Sequence, residues 1–177
     1  MTRDLRRLSG IAIALLVLSW PRAAEAQFLR GFDLFREGRY CEARDAWMKS
    51  ENSGDSTSPF GLAELYARGL CVKQNERLAS RWYLTAAQRG NPRARAEIGL
   101  RYAYGKGVEP NALKAYVWMS TSRVTAGGWE KDFVMTVDKN ATVVERMLTP
   151  EERQRAKKIL ADFGKTYQLP REFDSLD

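Results

Sequence analysis

The chain has 177 residues, 44% of them hydrophobic and 29% charged, with a formal net charge of +7 and no histidine. That length suits one compact unit, and the composition excludes a disordered or collagen-like chain. The missing histidine removes the usual general base near neutral pH, and with it Ser-His-Asp and Cys-His triads and the common zinc sites.

Residues 1–26 read as a secretory signal peptide. Arg3, Arg6 and Arg7 make a basic start, Ile11 to Trp20 is an apolar run, and Ala24-Glu25-Ala26 supplies small residues for cleavage between Ala26 and Gln27. The apolar run falls short of the ~20 residues of a membrane span, so an anchor is disfavoured and no transmembrane span is expected after cleavage. The protein is therefore expected to be exported, either periplasmic or secreted. What remains carries a mild positive charge without a basic run, which reads as a mixed solvated surface and not a nucleic-acid site.

Residues 27–55 read as a degenerate first helix pair, visible only by comparison with the two later copies of the same pattern. Its segment "GRYCEARDAWMKSENSGD" places Ala43 opposite Ala79 and Trp47 opposite Tyr83 at a shift of 36 residues. It has no glycine–valine loop, so a tighter turn near Gly38-Arg39 is expected to join its helices.

Residues 56–127 hold two clear copies in that register. The shift of 36 carries Tyr66 to Tyr102, Gly69 to Gly105, Val72 to Val108, Asn75 to Asn111, Ala79 to Ala115 and Trp82 to Trp118. Ala79, Trp82, Tyr83, Ala86 and Ala87 form one helical stripe, repeated by Ala115, Trp118, Met119 and Ser122. A shorter helix precedes each stripe, with Leu62, Ala63 and Tyr66 or Ile98, Gly99 and Tyr102. Each copy is thus a helix, a loop and an antiparallel helix, and such a pair must stack on a neighbour to bury its stripe. In "LRYAYGKGVEP", Gly105 is expected to end the first helix in a left-handed conformation, Gly107 to help the loop turn, Val108 to enter the core and Pro110 to start the next helix. A phosphate-binding loop is excluded: no Ser or Thr follows Lys106, and the loop leaves a helix rather than a strand.

This pattern resembles the Sel1-like repeat family, relatives of the tetratricopeptide repeats. The resemblance rests on Tyr102, Gly105, Gly107 and Val108, then Lys114, Ala115 and Trp118, with the closing Ala86, Ala87 and Gly90. Leu70 and Cys71 depart from it where the second copy has Lys106 and Gly107; Arg123 and Glu51 depart where a small alanine is expected. The resemblance implies an all-α fold, a short right-handed α-solenoid of helix hairpins, and a protein that binds another protein or peptide.

Residues 128–168 continue helically and read as a capping helix pair. Trp129, Phe133, Val137, Val144 and Met147 have helical spacing; Thr149, Pro150 and Glu152 form a helix-start signature; Ile159, Leu160 and Phe163 give an apolar face. Residues 169–177 read as a loose tail.

The two cysteines, Cys41 and Cys71, sit at the start of the first pair's second helix and in the next copy's loop. After export a disulfide between them is feasible; two separate buried thiols are the alternative. No serine has a lysine three positions on, which argues against a serine β-lactamase, and the carboxylates Glu64, Glu97, Asp132 and Asp138 read mostly as solvated surface charge. The chain is therefore expected to be a non-enzymatic scaffold or adaptor of the bacterial envelope, without cofactor or metal. The alternative is a periplasmic enzyme or envelope-modifying accessory, β-lactamase-like or glycan-acting. First-helix residues that leave the core stripe, Glu64, Arg68, Glu97, Arg101 and Tyr104, are the candidate partner groove, with Arg68 and Tyr104 at equivalent positions.

Overall fold

The computed structural model of the chain describes residues 29–125, 131–173 and 175–176. The signal peptide with its cleavage pair Ala26 and Gln27, and Trp129, lie outside the described residues. The chain is helical over 29–36 (α1), Tyr40–Ser50 (α2), Thr57–Arg68 (α3), Glu76–Gln88 (α4), Pro92–Tyr104 (α5), Ala112–Thr125 (α6), Lys131–Glu145 (α7) and Pro150–Thr166 (α8). Single 3-10 turns cover Glu51–Ser53 and Arg171–Phe173, and there is no strand among the described residues. From α2 to α7 each helix packs on the next; α8 returns onto α6, so α7 and α8 lean on α6 more than on each other. The result is an all-α solenoid of helix hairpins.

The two copies are built by the same backbone bonds. Gly69 and Gly105 end α3 and α5 in the left-handed region, at φ 68° and 67°, and donate to the carbonyls of Leu65 and Arg101. The amides of Asn75 and Asn111 donate 2.9 Å bonds to the carbonyls of Tyr66 and Tyr102, which closes each loop onto its own first helix. Each asparagine then caps the second helix: Asn75 Oδ1 accepts from the Leu78 amide at 2.9 Å, and Asn111 Oδ1 from the Lys114 amide at 2.8 Å. The expected role of Pro110 is corrected here. It lies one residue before the cap, so Asn111 starts α6, because its side chain can accept a bond where proline offers none.

The stripe residues are buried as their spacing requires. Ala79, Tyr83, Ala86, Ala87, Ala115, Trp118, Met119 and Ser122 are all buried. Trp82 is only partly buried, because it sits between two hydrophobic clusters and packs on both. The smaller cluster holds Leu34, Ala43, Ala46, Trp47, Leu62 and Leu65; the larger runs from Ala63 through α4, α5 and α6 to Ile159 and Phe173. Tyr66 and Val108 pack against the larger cluster and Val72 against the smaller.

The bridge between Cys41 and Cys71 is formed, with Cα atoms 5.1 Å apart. Its place follows from the repeat. Gly107, at φ 71°, lies so close to the start of α4 that a Cβ on it would stand 2.3 Å from the Glu76 carbonyl oxygen and 2.7 Å from the Arg77 nitrogen. One repeat earlier, Cys71 occupies the Gly107 position, also at positive φ (63°), and Cys41 occupies the Arg77 position. The loop-to-helix contact that a glycine makes possible at one junction is a covalent bond at the other.

Two expectations for the C-terminal region change. Val137 and Val144 are buried as their spacing implies, but Met147 is 61% exposed, and Leu148 takes the inward position because the helix has ended at Glu145. The described residues of the last segment do not trail loosely. Phe173 is 1% exposed, its ring 6.2 Å from that of Trp118, and Leu176 packs against the main cluster. A large apolar side chain within a polar segment has a buried site available, and burying a phenylalanine is worth about 1.5–3 kcal/mol. The capping signature of α8 is present in full: Thr149 Oγ1 accepts from the Glu152 amide, and the Glu152 carboxylate accepts from the Thr149 amide.

Candidate partner-binding face

The candidate residues come from α3 (Glu64, Arg68) and α5 (Glu97, Arg101, Tyr104), the first helices of the two repeats. Helical spacing places them off the core stripe, and the stacking of α3 on α4 and α4 on α5 brings them to one junction. Arg68 and Tyr104, equivalent by the 36-residue shift, are both exposed, Tyr104 at 69%. Glu64 and Glu97 are half-buried.

The carboxylates are tied to what lies beneath. The Tyr83 hydroxyl of α4 donates to Glu64 Oε1, while Arg68 Nε stands 3.7 Å from Glu64 Oε2. Burial, then the charge of Glu64, holds the Tyr83 phenol well above its ordinary range, so it stays a donor. Burial, again followed by the Glu64 charge, pushes the Glu97 carboxyl up, against the opposing pull of Arg101 and Lys106. Glu97 thus lies close enough to Glu64 to feel its charge.

Arg101 departs from the expectation of an open groove residue. It is 6% exposed; its Nη1 donates to Glu76 Oε2 at 2.8 Å, Ser80 Oγ at 3.2 Å and the Lys106 carbonyl at 3.4 Å, and its guanidinium lies 4.7 Å from the Tyr83 ring centroid. A guanidinium that ties α4 to the loop after α5 is a fixed part of the repeat junction. The open surface therefore consists of Arg68 and Tyr104 with the upper edges of Glu64 and Glu97.

Other polar groups escaped sequence reasoning. Arg95, 5% exposed, stacks 5.0 Å over the Phe163 ring, and its Nε donates to the Ala87 carbonyl at 3.1 Å; burial lowers its pKa to about 10. Lys114 is 8% exposed, with Nζ 5.2 Å from the Tyr102 ring centroid. Arginine and lysine in helices read as surface, and only their coincidence with the stripe positions would have flagged them. Cavities of about 370, 310 and 170 Å³ lie elsewhere, lined respectively by residues around Gly107, Trp118 and Leu34. Among the described residues there is no cluster of three or more Cys, Asp or Glu placed to hold a metal ion, and no helix long and apolar enough to cross a membrane.

The Sel1 repeat model matches residues 60–91 and 92–122. Over 67 residues the chain is 36% identical to the chitin synthase regulator SKT5 of Saccharomyces cerevisiae, a stretch covering 37% of this chain and 10% of that protein. A crystal structure of c5321, a protective antigen present in uropathogenic Escherichia coli strains and displaying an SLR fold, superposes with a TM-score of 0.68 at 27% identity, covering 85% of this chain and 31% of that one. The chain thus spans about a tenth of the first relative and under a third of the second.

Proposed function

From the premise that residues 60–122 are two Sel1 repeats, we propose that this chain is an exported adaptor of the bacterial envelope, binding a protein or peptide across the first helices of its repeats. One observation carries the reading: Arg68 and Tyr104 stand exposed at equivalent positions of stacked repeats, over the half-buried carboxylates Glu64 and Glu97. A partner's extended segment that crosses both repeats meets the same kind of position twice, which is how a repeat surface builds affinity from modest contacts. An exposed tyrosine is a large, stiff contact with a polar tip, of the sort enriched at interfaces.

The disulfide supports export, because such bonds persist in oxidising compartments. The basic start, apolar run and small-residue site of residues 1–26 point the same way. The yeast relative is named as a regulator of an enzyme, which is in line with an adaptor.

The test is chemical crosslinking in the native host with mass spectrometry, comparing the wild-type chain with Arg68→Glu/Tyr104→Ala. Both changes are at exposed positions, so folding should be preserved, and a partner crosslinked to the wild type should fall at least roughly tenfold with the double variant. An undiminished crosslink would remove this face from the reading, and turnover of a β-lactam or cell-wall substrate by purified protein would overturn the adaptor itself.

A further inference from the structure

We propose that the seat of the C-terminal segment, on the last repeat, is a second peptide-recognition site, filled here by the chain's own Glu172, Phe173 and Ser175 and open to a partner's acidic–aromatic segment in their place. The seat goes beyond the α3–α5 face and does not depend on it.

The segment is held as a bound peptide is held. After α8 ends at Tyr167, in the left-handed region at φ 55°, the chain turns back over α6. Phe173 inserts against Trp118 of α6. Glu172 pairs with Arg155 of α8. The Ser175 carbonyl accepts from the Tyr102 hydroxyl at 2.8 Å and from Lys114 Nζ at 3.2 Å. One aromatic anchor, one charge pair and a main-chain carbonyl read by two side chains make a recognition set that a different chain could supply.

The seat is also larger than its occupant. A cavity of about 370 Å³ borders Leu176, lined by Arg77, Gly107, Val108 and Glu109, and one of about 310 Å³ borders Leu169 and Arg171, lined by Arg95, Trp118 and Phe163. Larger side chains on a competing segment would fill space that Leu169, Arg171 and Leu176 leave empty. Arg155, which pairs with Glu172, and Lys114, which donates to the Ser175 carbonyl, set the preference for acidic residues flanking the aromatic one.

The test uses a fluorescent peptide with the sequence of residues 168–177 and the full chain. Phe173→Ala weakens the resident segment, so that variant should bind the peptide roughly tenfold more tightly than the wild type, whose own segment competes. The peptide lacking the phenylalanine should not bind, and Arg155→Glu in the Phe173→Ala chain should weaken binding unless the peptide carries Glu172→Arg. Glu172→Arg in the full chain loosens the segment without opening the core and provides the same measurement if Phe173→Ala unfolds. No saturable binding to either variant up to about 1 mM, or equal binding by wild type and variants, would overturn the proposal. Since Arg68 and Tyr104 are untouched, either result leaves the crosslinking experiment to be decided separately.

Discussion

The position held by Gly107 in one repeat and Cys71 in the other shows how a single residue sets the distance between neighbouring units. Both stand in the left-handed region, where glycine is unstrained and other residues pay a cost of roughly 1 kcal/mol or more. At Gly107 a methyl group would also meet backbone atoms of Glu76 and Arg77, which cannot swing away as a side chain could. Gly107→Ala should therefore cost more than the conformational strain alone, about 2–4 kcal/mol in urea unfolding. At position 71 the disulfide carries the strain. With Cys41 replaced by alanine, Cys71→Gly should be more stable than Cys71→Ala by about 1 kcal/mol, since the free loop then needs only the left-handed conformation. Equal stabilities for that pair would mean the loop relaxes out of positive φ once the bridge is gone.

At the level of helices, the ends are fixed by short signatures and the faces by spacing, and these were legible in the sequence for different reasons. Thr149, Pro150 and Glu152 announce the start of α8 because a capping box is a local contract between residues three apart; Thr149→Ala should lower stability by about 1 kcal/mol in thermal or urea unfolding. The loops of both repeats were legible because the 36-residue echo fixes glycine, valine and asparagine together. Contacts that the echo does not contain were hidden. Arg101 stands where the earlier repeat has Leu65, so nothing in the pattern marks it as a buried tie to Glu76. The seat of Phe173 joins residues more than fifty positions apart in sequence, and a polar segment after the last helix gives no sign of it beyond one aromatic side chain. Met147 and Leu148 differ by one residue at a helix end, the place where periodicity ceases to say which side faces in.

Across the whole molecule, two apolar clusters share one side chain and one covalent tie. The cluster of α1, α2 and α3 is small, and the larger cluster extends from α3 to the C-terminal segment; Trp82 touches both, and the disulfide fastens α2 to the loop after α3. In a solenoid each unit is stable through its neighbour, so the first hairpin depends on that junction while the later helices have junctions on both sides. Closing a loop over a separation of 30 residues removes about 3.6 kcal/mol of unfolded-chain entropy. Hydrogen exchange read by mass spectrometry should therefore show α1 and α2 protected in the oxidised chain and losing protection on reduction, while α5 and α6 keep theirs. Trp82→Ala in the reduced chain removes the side chain that the two clusters share, and unfolding should then split into two transitions, the earlier belonging to residues 29–50. Uniform loss of protection from α1 to α6 on reduction would mean instead that the clusters melt as one cooperative unit, with Trp82 coupling them more strongly than its partial burial implies.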